Sequence, residues 1–289
     1  MSRFLSTRAV EPGSGRVPGA RNIKWPRWPL PRIKSGVASA ASSLPAFAFA
    51  IALLLVWQLL AESRVISPVF FPAPSRAFEV LAARFADGSI WPSIEATSLR
   101  MLVGWAFASL LGIVIGAAIG SSAVARDFLE PTLEFLRPLP ASAIIPVAIL
   151  FLGLSNEMSV SVIAFGAIWP VLLSSVYGFG SLQVRLREVS AALGFGCIEF
   201  LRKIAFPAAL PDILSGVRVS LAICLILAVV TEMQASLPGL GRDIFFAQRS
   251  FRSADLYAGL IMLGAIGFIV NYGLLMIEQH LLRWRRPNR

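Results

Sequence analysis

Long uninterrupted runs of apolar residues recur along the whole chain and constrain its fold more than any other feature. Each run has about 20 residues, and an α-helix of that length matches the thickness of the hydrocarbon core of a bilayer. Of the 289 residues 56% are hydrophobic and only 15% are charged, whereas soluble domains carry about 25% charged residues. The pattern predicts an all-α integral membrane protein.

Six runs are long enough to cross a membrane as helices. We place these six transmembrane helices at residues 44–61, 97–120, 138–154, 159–180, 213–233 and 256–281.

The distribution of basic residues predicts the orientation of the chain. With six spans both termini lie on one side, and that side holds eighteen Lys and Arg residues, against six in the loops on the other side. Basic residues concentrate on the cytoplasmic side of membrane proteins. We therefore expect cytoplasmic N- and C-termini, and the net charge of +10 needs no nucleic-acid partner.

Residues 1–43 differ in composition from the rest of the chain. They are rich in Arg, Pro, Gly and Ser and show no apolar periodicity, which predicts a disordered basic cytoplasmic arm. Its charge would favour contact with anionic membrane lipid. Residues 44–289 then form the membrane domain.

Small residues recur every four positions along the second predicted span, at Gly104, Ala108, Gly112, Gly116 and Gly120. Such a ridge lets another helix backbone approach closely. The partner is either another subunit or gate, or a helix of the same chain.

A short amphipathic helix is predicted on the outer surface between the first two spans. Ser75 is a candidate N-cap, and Phe78, Leu81, Ala82 and Phe85 share one helical face.

The loop between the fourth and fifth spans, residues 182–211, carries most of the polar residues on the predicted cytoplasmic side. Its pattern predicts a helix over about 185–193 followed by a glycine break at Gly194 and Gly196. A glycine that closes a helix commonly takes the left-handed conformation and turns the chain sharply. A second short helix, over about 197–204, would then be ended by two prolines, Pro207 and Pro211. We expect a compact knob of two helices.

This loop resembles the coupling motif of a known family, the membrane subunits of bacterial ATP-driven (ABC) importers. That motif reads Glu-Ala-Ala, three residues, Gly, nine residues, then Ile-x-Leu-Pro. Here Glu188, Gly194, Ile204 and Pro207 keep the spacing, while Val, Ser and Phe replace the usual Ala, Ala and Leu. The resemblance covers roughly residues 90–285 and implies the fold of a type I ABC importer transmembrane domain in the bacterial inner membrane.

In that family the segment is the coupling helix that docks into a groove on the cytoplasmic ATPase. By resemblance, the coupling residues are Glu188, Ser190, Ala191, Ala192, Gly194, Phe195, Gly196, Ile204 and Pro207. The resemblance also implies two ATPase subunits, a second permease copy in a homodimer, and a periplasmic or lipid-anchored solute-binding protein.

The chain itself lacks the nucleotide-binding sequence of such ATPases. A P-loop requires Gly-x-x-x-x-Gly-Lys-Ser/Thr, and the three lysines, Lys24, Lys34 and Lys203, do not stand in that frame. We expect no enzyme activity, no cofactor and no metal site in this chain, and ATP and Mg²⁺ bound by the partner ATPase.

Three further segments resemble the nitrate/sulfonate/taurine branch of these permeases: Arg-Pro-Leu-Pro-Ala-Ser-Ala-Ile-Ile-Pro at 137–146, Phe-Leu-Gly-Leu at 151–154 and Leu-Pro-Gly-Leu-Gly at 237–241. Members of that branch move small anions, and others move heterocyclic vitamin or pyrimidine precursors. The resemblance therefore restricts the size of the solute more than its identity, and we expect a small anionic solute of the nitrate, sulfonate or taurine kind.

Polar residues inside spans are costly unless they face protein or water, which makes them candidates for the translocation path. These are Thr231, Glu232, Asn271, Ser174, Ser175 and Tyr177. Glu232 has two interpretations: a lining or gating residue, or an acid paired with an outer-loop arginine such as Arg242. Because a carboxylate repels an anion, an anionic solute would favour a structural or gating role.

Two other functions compete with the importer. A secondary transporter or channel would need no ATPase, but it would leave the glycine-broken loop without a role. An intramembrane enzyme would need histidines or paired acids, and the single histidine, His280, lies at the cytoplasmic end of the sixth span.

Overall fold

The computed structural model describes residues 40–63, 67–182 and 184–283. The chain divides into two units, residues 1–48 and 49–289. Of the first unit, residues 40–48 are described and are helical; residues 1–39 of the predicted arm lie outside the described residues.

The described residues form helices and no strand. In chain order the helices are α1 (Ala40–Glu62), α2 (Pro74–Ala86), α3 (Trp91–Ser121), α4 (Ala123–Leu136), α5 (Ala141–Leu152), α6 (Asn156–Gly180), α7 (Val184–Ala192), α8 (Cys197–Phe200), α9 (Phe206–Ala235), α10 (Leu240–Arg249) and α11 (Ser253–Leu281), with a π-helical turn at Leu201–Ala205 between α8 and α9.

Four helical stretches are long and apolar enough to cross a membrane: α3, α6, Ile198–Ala235, which ends with α9, and α11. They contain the predicted second, fourth, fifth and sixth spans. The bent pair of α4 and α5 makes a fifth crossing if it counts as one span. Helix α1 spans the 23 residues Ala40–Glu62 and so covers the predicted first span, residues 44–61. The all-α membrane fold is confirmed.

The third predicted span differs from what the structure contains. The sequence pattern predicts a loop over 121–137 and a span over 138–154, but α4 occupies most of that loop and α5 has only 12 residues. Twelve residues rise about 18 Å, short of a hydrocarbon core of about 30 Å. The axes of α4 and α5 differ by 87°, because Pro138 and Pro140 in the break prevent a continuous helix.

The small-residue ridge of α3 packs inside the subunit, which decides between the two alternatives for it. A Cβ atom built at Gly104 would lie 2.9 Å from Ile163 Cβ, and one at Gly112 would lie 3.1 Å from the backbone nitrogen of Leu172. Both neighbours belong to α6. Ala108 is fully buried. The missing side chains let α3 and α6 pack backbone to backbone.

The prediction that Pro207 and Pro211 end the second loop helix is wrong, because the chain is helical without interruption from Ile198 to Ala235. Phe206 donates its N–H to the carbonyl of Leu201 and closes the π-helical turn. Pro207 then falls in the first turn of α9, where its missing N–H needs no partner. Pro211 lies inside α9, and membrane helices tolerate such prolines.

The helix predicted between the first two spans exists as α2, but its predicted N-cap is wrong. The helix begins at Pro74, after Ala73, without a side-chain cap. Ser75 instead exchanges hydrogen bonds with Gln58 of α1, donating its N–H at 3.2 Å and accepting from Nε2 at 3.1 Å. Helix α2 packs against α11 and buries Ala77 completely.

Candidate functional site

The loop between α6 and α9 forms the predicted compact knob. Helix α7 ends where Gly194 takes a left-handed φ of +73°, and the N–H of Phe195 donates to the carbonyl of Ser190 at 3.0 Å. This bond is the one that closes a helix in a Schellman motif. Lys203 Nζ pairs with Glu199 Oε1 at 2.9 Å within the second helical segment. It also lies 5.1 Å from the ring centroid of Phe195, so this contact connects that segment to the turn.

The knob exposes apolar side chains. Val189, Leu193 and Ile198 are 50%, 63% and 80% exposed. Glu188, Ala192, Gly194 and Gly196 are exposed as well, Phe195, Ile204 and Pro207 are partly buried, and Ser190 is buried; the side chain of Ala191 lies outside the described residues. Apolar side chains clustered on a polar loop are typical of a protein interaction site.

A cavity with a volume of about 710 Å³ lies between the α4–α5 break, α5, α6 and α9. Its polar lining consists of Arg137, Ser142, Trp169, Ser174, Tyr177, Asp212 and Ser215. A small solute needs a cavity of this order. The apolar part of its wall includes Val219, Ile223 and Leu227 of α9.

Two of the predicted path residues, Ser174 and Tyr177, line this cavity. Three others are completely buried in helix packing: Ser175, Thr231 and Glu232. Thr231 Oγ1 lies 2.6 Å from Ser159 Oγ. Asn271 lines a separate groove beside Arg218. The structure does not bring these four residues to the cavity, so their role in the path stays a prediction.

Glu232 is held by an ion pair and by hydrogen bonds on both carboxylate oxygens. Arg100 Nη1 donates to Oε1 at 2.6 Å. Oε2 accepts from Thr97 Oγ1 at 3.0 Å and from the N–H of Gly241 at 2.8 Å. Asn156 Oδ1 accepts from Arg100 Nε at 2.8 Å. The partner of Glu232 is therefore Arg100, and not the outer-loop Arg242.

The same end of the bundle holds a second polar cluster that the sequence did not predict. Asp243 of α10 lies 2.6 Å from Arg84 Nη2 of α2 and 2.8 Å from Ser93 Oγ of α3. In the neighbouring turn, Asp87 accepts the N–H of Ser89 at 2.8 Å, and this hydrogen bond lowers the pKa of Asp87. The two clusters join the helices at one end of the bundle.

Sequence reasoning missed Arg100, Arg137, Ser142, Asp212 and Ser215 as site residues. The spacing within α9 held a usable signal, because residues 212, 215, 219, 223 and 227 recur every three or four positions and so share one helical face. That signal was lost because the helix was expected to start after Pro211.

Comparisons with known proteins agree with this architecture. The family model described as binding-protein-dependent transport system inner membrane component matches residues 108–286. The taurine transport system permease protein TauC of Escherichia coli K12 is 31% identical over 272 residues, covering 92% of this chain and 94% of that protein. The nitrate import permease protein NrtB of Synechocystis is 30% identical and covers 81% of this chain and 87% of that protein.

Solved structures share the fold. One inward-facing structure of the MetNI methionine ABC transporter superposes with a TM-score of 0.57 at 15% identity, covering 64% of this chain and 93% of that one. The family model covers more than half of the chain, and one relative is 31% identical along nearly its whole length. The helical membrane fold agrees with both findings. The chain belongs to the family of binding-protein-dependent transport system inner membrane components.

Proposed function

We propose that two copies of this chain form the membrane path of an ATP-driven importer for a small anionic solute of the nitrate, sulfonate or taurine kind. Family membership makes the chain an inner-membrane permease subunit and not itself an enzyme. In the proposal a separate ATPase binds ATP and Mg²⁺, one copy on each permease, and a solute-binding protein delivers the solute from outside.

The observation that carries the proposal is the unbroken helical connection between the knob and the cavity. Ile198 of the knob and the cavity-lining residues of α9 belong to one helical stretch of 38 residues. A helix transmits displacement as a near-rigid body. A movement imposed by an ATPase on the knob would therefore reach the cavity wall directly.

The exposed face of the knob supports ATPase docking. Val189, Leu193 and Ile198 supply the apolar contacts, and the positive φ of Gly194 sets the angle between the two short helices. In a secondary transporter or channel, which is the competing function, this exposed apolar surface would have no partner to bind.

Co-purification with the candidate ATPase tests the proposal. The tagged permease is extracted from membranes as wild type and as the double variant Glu188→Ala/Gly194→Val. We expect the ATPase to accompany the wild type and to be lost with the variant. A folded permease that binds no ATPase in either form, or that moves solute without ATP, would favour the secondary transporter.

A further inference from the structure

The cavity between α5, α6 and α9 carries two opposite charges. Arg137 and Asp212 both line it, and its other lining residues are uncharged. Among the residues that the structure describes, neither side chain forms an ion pair or a hydrogen bond. By contrast, Glu232 pairs with Arg100 and Glu278 with Arg218. The cavity therefore contains one cation and one carboxylate, neither of which has a charged partner among the described residues.

A simple anion suits this cavity poorly. It would pair with Arg137 but would feel the repulsion of Asp212, which is strong where the surroundings are apolar. The Asp212 carboxylate would also stay unpaired in a half-buried position, which is unfavourable. A solute with an acidic group and an ammonium group satisfies both side chains.

The remaining polar groups of the cavity fit such a solute. The indole Nε1 of Trp169 is buried and has no hydrogen-bond partner, and an indole N–H acts only as a donor, so it suits an acidic oxygen. The hydroxyls of Ser142, Ser174 and Ser215 can donate or accept and so can serve either end of the solute.

We propose that the permease carries a small zwitterion, whose sulfonate or carboxylate binds Arg137 and whose ammonium group binds Asp212. This inference rests on the proposed function and narrows its solute class from small anions in general to those that also carry an amine. Two copies of the chain would double both charges and keep them balanced.

Equilibrium binding to the permease–ATPase complex in lipid nanodiscs, without nucleotide or binding protein, tests the proposal. The probes are taurine, ethanesulfonate, which lacks the amine, and β-alanine, in which a carboxylate replaces the sulfonate. We expect taurine to bind at least about tenfold more tightly than ethanesulfonate, since each factor of ten corresponds to 1.4 kcal/mol. Binding of β-alanine reports whether the acid can be a carboxylate.

Variants at Asp212 separate recognition from folding and gating. Asp212→Asn should weaken taurine binding until it matches that of ethanesulfonate, and Asp212→Glu should retain part of the preference. Asp127→Asn, on the exposed surface of α4, removes a carboxylate outside the cavity and should change neither affinity.

Three results would overturn the proposal of a zwitterionic solute. These are equal affinities for taurine and ethanesulfonate in the wild type, an equal loss of affinity for both probes in Asp212→Asn, and no binding of any probe. An equal loss would make Asp212 a structural or gating residue. ATP-dependent uptake with the binding protein present is measured in parallel, and its absence for every solute would count against the importer itself.

Discussion

Arg100 Nη1 of α3 lies 2.6 Å from Glu232 Oε1 of α9, and the two residues are 5% and 0% exposed. Thr97 and the N–H of Gly241 also donate hydrogen bonds to Glu232, and Asn156 accepts a hydrogen bond from Arg100. The network therefore joins α3, α6, α9 and the start of α10. A buried charge without its partner is strongly unfavourable, so the network favours the arrangement in which these helices lie together.

Removal of one member of this pair should destabilise the protein. We expect Arg100→Met to cost about 3–5 kcal/mol, because Glu232 would be left buried without its counter-charge. The double variant Arg100→Met/Glu232→Met should recover part of the loss, which a double-mutant cycle on the thermal unfolding of the purified protein would show. The exposed pair Arg76 and Glu79 is the control, and Arg76→Met should cost less than about 1 kcal/mol. Equal effects at the two arginines would contradict a stabilising role.

The glycines of α3 should tolerate no side chain where they touch α6. A Cβ atom at Gly112 would lie 2.9 Å from Val171 Cβ and 3.1 Å from the backbone nitrogen of Leu172. We expect Gly112→Ala to lower stability by about 1–3 kcal/mol through overpacking. Gly264 of α11 has no atom within 4 Å of such a Cβ, so Gly264→Ala should be neutral or stabilise by up to about 1 kcal/mol. Thermal unfolding of both variants checks the difference in sign.

The turn at Gly194 should be essential for coupling. Gly194→Val forces a β-branched residue into a left-handed conformation, at a cost of about 1–2 kcal/mol, and should reorient the two helices of the knob. We expect ATP-driven uptake to fall about tenfold or more while the permease still inserts in the membrane.

Gly88 provides a matched control for that variant. It has a similar φ of +76° and equally open surroundings, so Gly88→Val introduces the same strain outside the loop. Gly88→Val should retain most of the uptake. Normal uptake by Gly194→Val, or equal loss in Gly88→Val, would contradict the coupling role.

The exposed apolar face of the knob should determine ATPase affinity without affecting stability. Ile198 is 80% exposed, so Ile198→Asn should change unfolding by less than about 0.5 kcal/mol. If the ATPase covers this side chain, affinity should fall about tenfold, as for a typical interface anchor. Phe78 on α2, 49% exposed, is the control, and Phe78→Asn should leave ATPase binding unchanged. Binding of the purified ATPase to nanodisc-embedded permease measures both.

The position of the glycine turn in the loop between α6 and α9 could be predicted from the sequence because its geometry is local. Gly194 follows a nine-residue helix, and the rules that close a helix involve only residues within one turn. The same local rules failed at Pro211, because a proline in a membrane helix depends on neighbouring groups that satisfy the freed backbone.

The sequence alone predicts that this chain is a helical membrane protein, where most of its spans lie, and where the chain turns at Gly194, because apolar length and glycine position act within one segment. The folded structure was needed to show that Glu232 pairs with Arg100, that Asp212 lines a cavity, and that α4 and α5 form a bent pair. Those relationships depend on which helix faces lie together across the bundle, and periodicity along one helix carries no information about its neighbour.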